Sequence, residues 1–431
     1  MSRDRRVRFV LAVTILASLI SSTGHGQTTA PGPGDPDASS GSELRVYLMT
    51  MGPGAAVWER FGHNAIWIDD SSVQPDTSYN YGLFDFGQES FLLRFIRGQM
   101  WYWMAGFAAE PYARTYVRDN RSIWLQELNL SPRARLELRE FLRWNERPEN
   151  RFYHYDYYND NCSTRVRDAI DRVIGGAIEA QTASLPTATT YRFHTQRLTA
   201  NDPLIFTGLL LALGPRVDRP ITAWEEMFLP MALRAHARRV SVAGPDGARV
   251  PLIASERTLF ESTAPPPPAA PPSWLHWYLL AGTVTGAAAA ALGGLARRHR
   301  AARLGLGGVA VLWGALAGLG GVVLAGLWAF TDHAMAYRNE NLFQVNPLVL
   351  GLAVLVPLAL AGSLRAGRWA GALALGLAGL SLLGFLLQVL PGVDQVNGPV
   401  IALALPIHLG FTLGLRRVFG AVTMAMLSRT K

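Results

Sequence analysis

Apolar residues are distributed along this 431-residue chain in two ways. Up to about residue 270 they alternate at short intervals with charges, aromatics and turn formers; beyond it they merge into runs of Ala, Leu, Gly and Val. The first pattern suits a globular part and the second suits segments that face hydrocarbon. Five runs are long enough to cross a bilayer, at 274–296, 304–330, 345–364, 369–390 and 399–415. In the globular part, alternation from His63 to Ile68 predicts a strand ending at Asp69 and Asp70, with further strands at Tyr79–Phe84 and Ser122–Leu130. Ser131 and Pro132 open a helix that runs to Asn145. From Cys162 the sequence CSTRVRDAIDRVIGG puts Val166, Ile170, Val173 and Ile174 on one helical face, capped by Asp160 or Asn161 and stopped by Gly175 and Gly176.

The ends of these patterns divide the chain. Arg3, Arg5, Arg6 and Arg8 precede an apolar run from Phe9 to Ile20, and small polar residues follow to Gly26. That is the layout of a secretory signal peptide over 1–26, a retained anchor being the alternative. Residues 27–263 then form an exported domain, 264–273 a stiff proline-rich linker, and 274–431 a membrane domain. Arginines cluster after the first span (Arg297, Arg298, Arg300, Arg303), the third (Arg365, Arg368) and the fifth (Arg416, Arg417), which makes those segments cytoplasmic. An odd number of spans puts the N-terminal domain outside, in the periplasm of a bacterial inner membrane, with the C-terminus in the cytoplasm. The spans hold almost no ionisable residues, only His276 and His408, which argues against a proton relay or an ion path.

A net charge of +8 raises the question of nucleic acid, but the basic residues form no stripe with interleaved aromatics, and all except Lys431 are arginine. Nucleic-acid binding is not expected. No CxxC or HxxEH spacing occurs, so neither a metal site nor a cofactor is called for. The single cysteine, Cys162, excludes an internal disulfide. At a helix N-terminus its thiolate is favoured by unpaired amides and the helix dipole, which makes it a candidate nucleophile. Such a thiol needs a base and a group to orient that base. His63 on its strand fits the papain-like pattern, with His ahead of Cys in the chain, and the paired strand offers Asn80 beside the imidazole. His154 competes for the role of base. His194, His236 and His299 lie in Arg-rich stretches read as solvated, without a role.

The blocks WERFGHNAIWI (58–68), YNYGLFDF (79–86), PENRFYHYDYYNDNCSTRVRD (148–168), TYR (190–192) and LALGPRVDRPITAWEEMFLP (211–230) resemble, in this order, those of the Lnb-type bacterial lipoprotein N-acyltransferases. The resemblance implies an α+β fold: a permuted papain-like, NlpC-like periplasmic domain, akin also to lecithin:retinol acyltransferase, followed by an all-α five-helix transmembrane domain. It implies Cys162 and His63 as the catalytic pair, and it accounts for His preceding Cys. The implied reaction moves a fatty acyl group from a membrane lipid, through a Cys162 thioester, to the N-terminal amine of lipoproteins. Asn64 and Tyr81 within the matching blocks, and His333, Asn339 and Asn341 in TDHAMAYRNENLFQVNPL (331–348), are implied substrate contacts; for the last group, simple capping of span ends is the competing reading. Hydrolysis of peptidoglycan peptides or lipid esters by the same pair, and a non-enzymatic membrane scaffold, are the rival functions.

Overall fold

A computed structural model describes residues 41–427 apart from 72–74, 86, 88 and 245–246. The signal-peptide segment lies outside the described residues. The globular part is built on a seven-stranded antiparallel sheet. In chain order its elements are β1 (Leu44–Met51), β2 (His63–Asp70), β3 (Thr77–Leu83), α1 (Phe91–Arg97), β4 (Trp101–Ala108), α2 (Ala109–Arg118), β5 (Ile123–Leu128), α3 (Pro132–Glu146), β6 (Phe152–His154) and α4 (Cys162–Val173). Short helices α5 (Ala177–Thr182), α6 (Tyr191–Leu198), α7 (Pro203–Ala212), α8 (Ala223–Glu226) and α9 (Pro230–Ala237) follow. Ribbons β7–β8 (Pro186–Thr190, Pro220–Thr222) and β9–β10 (Ser241–Ala243, Arg249–Pro251) lead to β11 (Ile253–Phe260) at the sheet edge. The spatial order is β11-β5-β1-β2-β3-β4-β6.

Both faces of the central strands are covered. Leu48, Ile66, Ile68, Tyr79 and Tyr81 meet Leu138 and Leu142 of α3 and Val166 and Ile170 of α4 on one side. Met49, Met51, Ala65 and Leu125 meet Ala113, Tyr112 and Tyr116 of α2 on the other. Strands buried on both faces read as unbroken apolar runs rather than alternating ones, which is why LRVYLMTM of β1 gives little periodic signal. The helices begin where their caps dictate. Ser131 Oγ accepts from the Ala134 amide at 3.2 Å, and Pro132 occupies the first turn of α3. Asn161, not Asp160, caps α4, taking the amides of Ser163 and Thr164 at 2.8 and 3.0 Å.

Beyond the proline segment, five helices are long and apolar enough to cross a membrane: Leu275–Leu295, Arg300–Phe330, Glu340–Leu360, Leu364–Leu387 and Gly398–Phe419. We label the continuous helices α10 (Leu275–Leu295), α11 (Arg300–Phe330), α12 (Leu350–Leu360), α13 (Leu364–Leu387) and α14 (Gly398–Leu427). α10 and α14 touch along a glycine seam so close that a Cβ on Gly410 would lie 2.1 Å from the Gly286 carbonyl oxygen. Only small residues allow backbones to meet in this way. The chain is thus a sheet-rich α+β domain followed by a five-helix apolar bundle. His408 of α14 is buried against Ser381 Oγ at 2.6 Å.

The seam between the two parts is hydrogen-bonded. Asn339 Nδ2 donates to the Leu211 and Ala212 carbonyls at 2.7 and 3.1 Å, and Asn341 Nδ2 donates to Leu210 and Leu211 at 3.1 and 3.0 Å. These carbonyls end α7, where no amide of the helix itself remains to bind them. Beside them the fully buried Arg192 pairs with Asp218 at 2.6 Å and donates to the Leu213 and Gly214 carbonyls. Gln395 Nε2 reaches the same Leu213 carbonyl at 3.0 Å.

Candidate active site

Cys162 is the first residue of α4, fixed there by the Asn161 cap and by Ser163. Ser163 Oγ lies 2.9 Å from Asn64 Oδ1 and 2.7 Å from the Met227 carbonyl oxygen. Asn64 is itself braced by Nδ2 donating to Thr50 Oγ1 at 2.8 Å. The neighbours of the two candidate residues are therefore bonded to one another, which holds the start of β2 against the start of α4. Asn64 is fully buried, and its side chain is spent on this brace. The β2–β3 register, with Ala65 opposite Asn80, brings Gly82 level with His63. Gly82 has a φ of +87°, and a Cβ there would stand 3.2 Å from Cys162 Cβ. A bare backbone at 82 is what lets the start of α4 pack this close to the end of β3.

His63 stacks on Tyr116 of α2, the ring centroids 6.3 Å apart and the planes 9° from parallel. Arg121 in turn covers Tyr116, its guanidinium carbon 4.6 Å from the ring centroid. The guanidinium is buried, donates through Nε to the Gly52 carbonyl at 2.9 Å and pairs with Glu59 at 3.4 Å. On the other side Asn80 is oriented by Nδ2 donating to Ser78 O at 2.9 Å and Oγ at 3.2 Å. Its Oδ1 and His63 Nε2 are both buried without a hydrogen-bond partner. Asn80 lies close enough to His63 to favour the charged imidazole. Tyr81, by contrast, points into the core, where its hydroxyl donates to Asn145 at 2.8 Å.

Burial dominates the electrostatics. It pushes the Cys162 thiol up to about 11, against the amides of Asn64, Cys162 and Ser163 and the Arg121 charge, which favour the thiolate. It pulls His63 down to about 4, helped by Arg121 and opposed by Asn80. The expectation that the helix N-terminus sets the thiol low is therefore corrected: its amides act, but desolvation outweighs them. At neutral pH the pair rests as thiol and neutral imidazole, not as an ion pair. The thiolate ultraviolet absorbance, taken as the difference between wild type and Cys162→Ser, should be absent at pH 7 and rise only towards pH 11. A full thiolate signal at pH 7 would contradict this arrangement.

The other sequence candidates lie elsewhere. His154 is on the edge strand β6, its ring against Trp101 at 4.0 Å. His333 Nε2 is 3.0 Å from the Phe95 carbonyl oxygen, and Asn339 and Asn341 are committed to the end of α7. His194 and His236 are not solvated: both are buried, 3.0 and 2.7 Å from the two oxygens of Glu226. Although burial opposes it, these bonds and one from Thr189 hold Glu226 well below the usual carboxylate range. His299, before α11, is exposed as read. Sequence reasoning missed Arg121 and Tyr116. An arginine in the turn DNRS carries no signal of burial, although Tyr116 and Arg121 straddle that turn from a helix end to a strand start. Among the described residues, no group of three or more His, Cys, Asp or Glu is placed to hold a metal ion.

Residues 37–197 match the family model described as the Lnb N-terminal periplasmic domain, and residues 273–412 match the Lnb transmembrane domain. Neither a curated protein nor a solved structure gives a match.

Proposed function

The chain belongs to the Lnb family of membrane enzymes, with a periplasmic N-terminal domain and a five-span membrane domain, and from that premise we propose that it is a cysteine-dependent lipoprotein N-acyltransferase. The observation that carries this reading is the placement of Cys162, with the backbone amides of Asn64, Cys162 and Ser163 near enough to its sulfur to favour the thiolate, in a domain seated on an apolar five-helix bundle. Both substrates of such a reaction are held in the bilayer by their own acyl chains, and an active site fixed at the surface meets them at raised effective concentration.

In the first step neutral His63 takes the thiol proton while the sulfur attacks the ester carbonyl of a membrane lipid. The Cys162 amide, at the first helical position, has no carbonyl of its own helix to bind and is free to donate to the developing oxyanion. The carbon–oxygen bond breaks, the leaving alcohol takes the proton from His63, and an acyl thioester remains. In the second step the α-amine of a lipidated N-terminal cysteine attacks the thioester. His63 takes the amine proton and returns it to the departing sulfur. Asn80, which favours the charged form of the imidazole, then holds it. The same reading sets the protein in a bacterial inner membrane with its C-terminus in the cytoplasm.

Incubation with phospholipid vesicles and no acceptor should add one fatty acyl mass to the protein, lost in Cys162→Ser. A lipopeptide with a free α-amine should discharge it, and one with a blocked amine should not. An unmodified mass under these conditions would sink the proposal; discharge by water as fast as by amine would favour the hydrolase.

A further inference from the structure

α1 is a short helix, Phe91–Arg97, inserted between β3 and β4. Its residues Leu92, Leu93, Phe95 and Ile96 are all exposed, Leu92 by 68%. Four large apolar side chains on seven helical residues are more than isolated surface leucines require. The helix is also latched in place. The Asp332 amide donates to the Arg97 carbonyl at 2.8 Å, Gln99 Nε2 donates to Asp332 Oδ2 at 2.8 Å, and His333 Nε2 meets the Phe95 carbonyl at 3.0 Å. Gly98, with a φ of +73°, turns the chain so tightly that a Cβ there would lie 3.1 Å from the His333 amide. Residues 332 and 333 come directly after α11, whose last turn exposes Trp328 and Phe330, the latter by 84%.

We propose that α1 lies in the outer leaflet of the bilayer, as a lipid-facing helix continuous with the outer end of α11. Three bonds fix it where α11 leaves the hydrocarbon, so its apolar side chains cannot be placed in bulk water without lifting the span. Trp328 marks the interfacial level at which indoles collect. Arg94 and Arg97 fit the same position, since a long basic side chain can reach lipid phosphates while the rest of the helix stays in the acyl region. From the turn that leads into α1, Phe84 meets Tyr102 at 5.2 Å and Tyr102 meets Tyr155 at 4.1 Å. Tyr155 lies 3.5 Å from the Cβ position of Gly82, beside Cys162. A row of packed aromatic rings thus runs from the turn before α1 to the thiol, and we take it as the side from which an acyl chain reaches Cys162. This last step, unlike the placement of α1, rests on Cys162 being the acyl acceptor.

Nitroxide labels on Leu93→Cys and Ile96→Cys, made in Cys162→Ser and reconstituted in phosphatidylethanolamine–phosphatidylglycerol nanodiscs, test the placement. Collision rates with oxygen should exceed those with a water-soluble nickel chelate, as at the lipid-exposed Val323→Cys and opposite to the aqueous Arg118→Cys. Nickel-dominated collisions would overturn the proposal, and so would low collision rates with both, which mark a protein partner. No activity is read, so failure of the acyltransferase reading leaves this outcome untouched. For delivery, Leu92→Glu with Ile96→Glu should lower acyl loading of Cys162 at least tenfold while the thiolate titration is unchanged; full loading would remove the aromatic route.

Discussion

Cys162→Ala is expected to leave no detectable N-acylation, and His63→Ala to fall by about 10²–10⁴-fold at pH 7, the usual contribution of a general base. Without a base, the reaction depends on thiolate already present, and a thiol at about 11 is ionised to roughly 10⁻⁴ four pH units below. The His63→Ala rate should then climb about tenfold per pH unit towards 11, because each unit raises the thiolate fraction tenfold. Wild type should behave differently. Its imidazole titrates at about 4, so the base is free above about pH 5 and the rate should be level to near pH 9, falling only as acid protonates His63. Acylation of a lipopeptide followed across this range by mass spectrometry measures both profiles. A flat His63→Ala profile, or wild-type activity in Cys162→Ala, would remove the pair from the mechanism.

Gly82→Ala is expected to cost about a hundredfold in acyl transfer while leaving the protein folded. The residue sits at φ +87°, and its new Cβ would press on Cys162 Cβ at 3.2 Å and on Tyr155 at 3.5 Å. The left-handed backbone alone costs about 1–2 kcal/mol, and displacement of a nucleophile by about an ångström is worth about 10² in rate. Gly176→Ala separates the two effects, since Gly176 has a φ of +78° with nothing within 4 Å of the added Cβ. It should lower the melting temperature to a similar degree and keep full activity. Equal activity in both variants would mean that the backbone at 82 does not set the position of the thiol.

Much of this site is legible in the sequence because local rules fix it. The Asn161 cap, the helix from Cys162, the strands at His63 and Tyr79, and the five apolar runs each follow from a period or a cap within a dozen residues. What is hidden depends on distant packing. β1 is covered on both sides and β4 carries apolar residues on both faces, so neither alternates in sequence, and the strand order that brings β2 beside β3 cannot be read locally. The thiol's basicity is not legible, because a helix N-terminus is visible in sequence and burial is not. Arg121, His194 and His236 look solvated by composition, yet each is buried against an acidic partner on another element, at Glu59 or Glu226.

The bonds from Asn339, Asn341 and Gln395 to the end of α7 give the proline segment a different meaning. Taken alone, residues 264–273 would be a boom on which the periplasmic domain swings. With its far side stitched to the loop after α11, the domain has two attachments to the bundle and no hinge between them. Its active site then stands at one height above the bilayer, like a tool on a fixed gantry. Under the proposed reaction the molecules that must travel are the lipid and the lipoprotein, and an acceptor would be usable only if enough unfolded chain separates its lipidated amine from its first folded residue to reach that height.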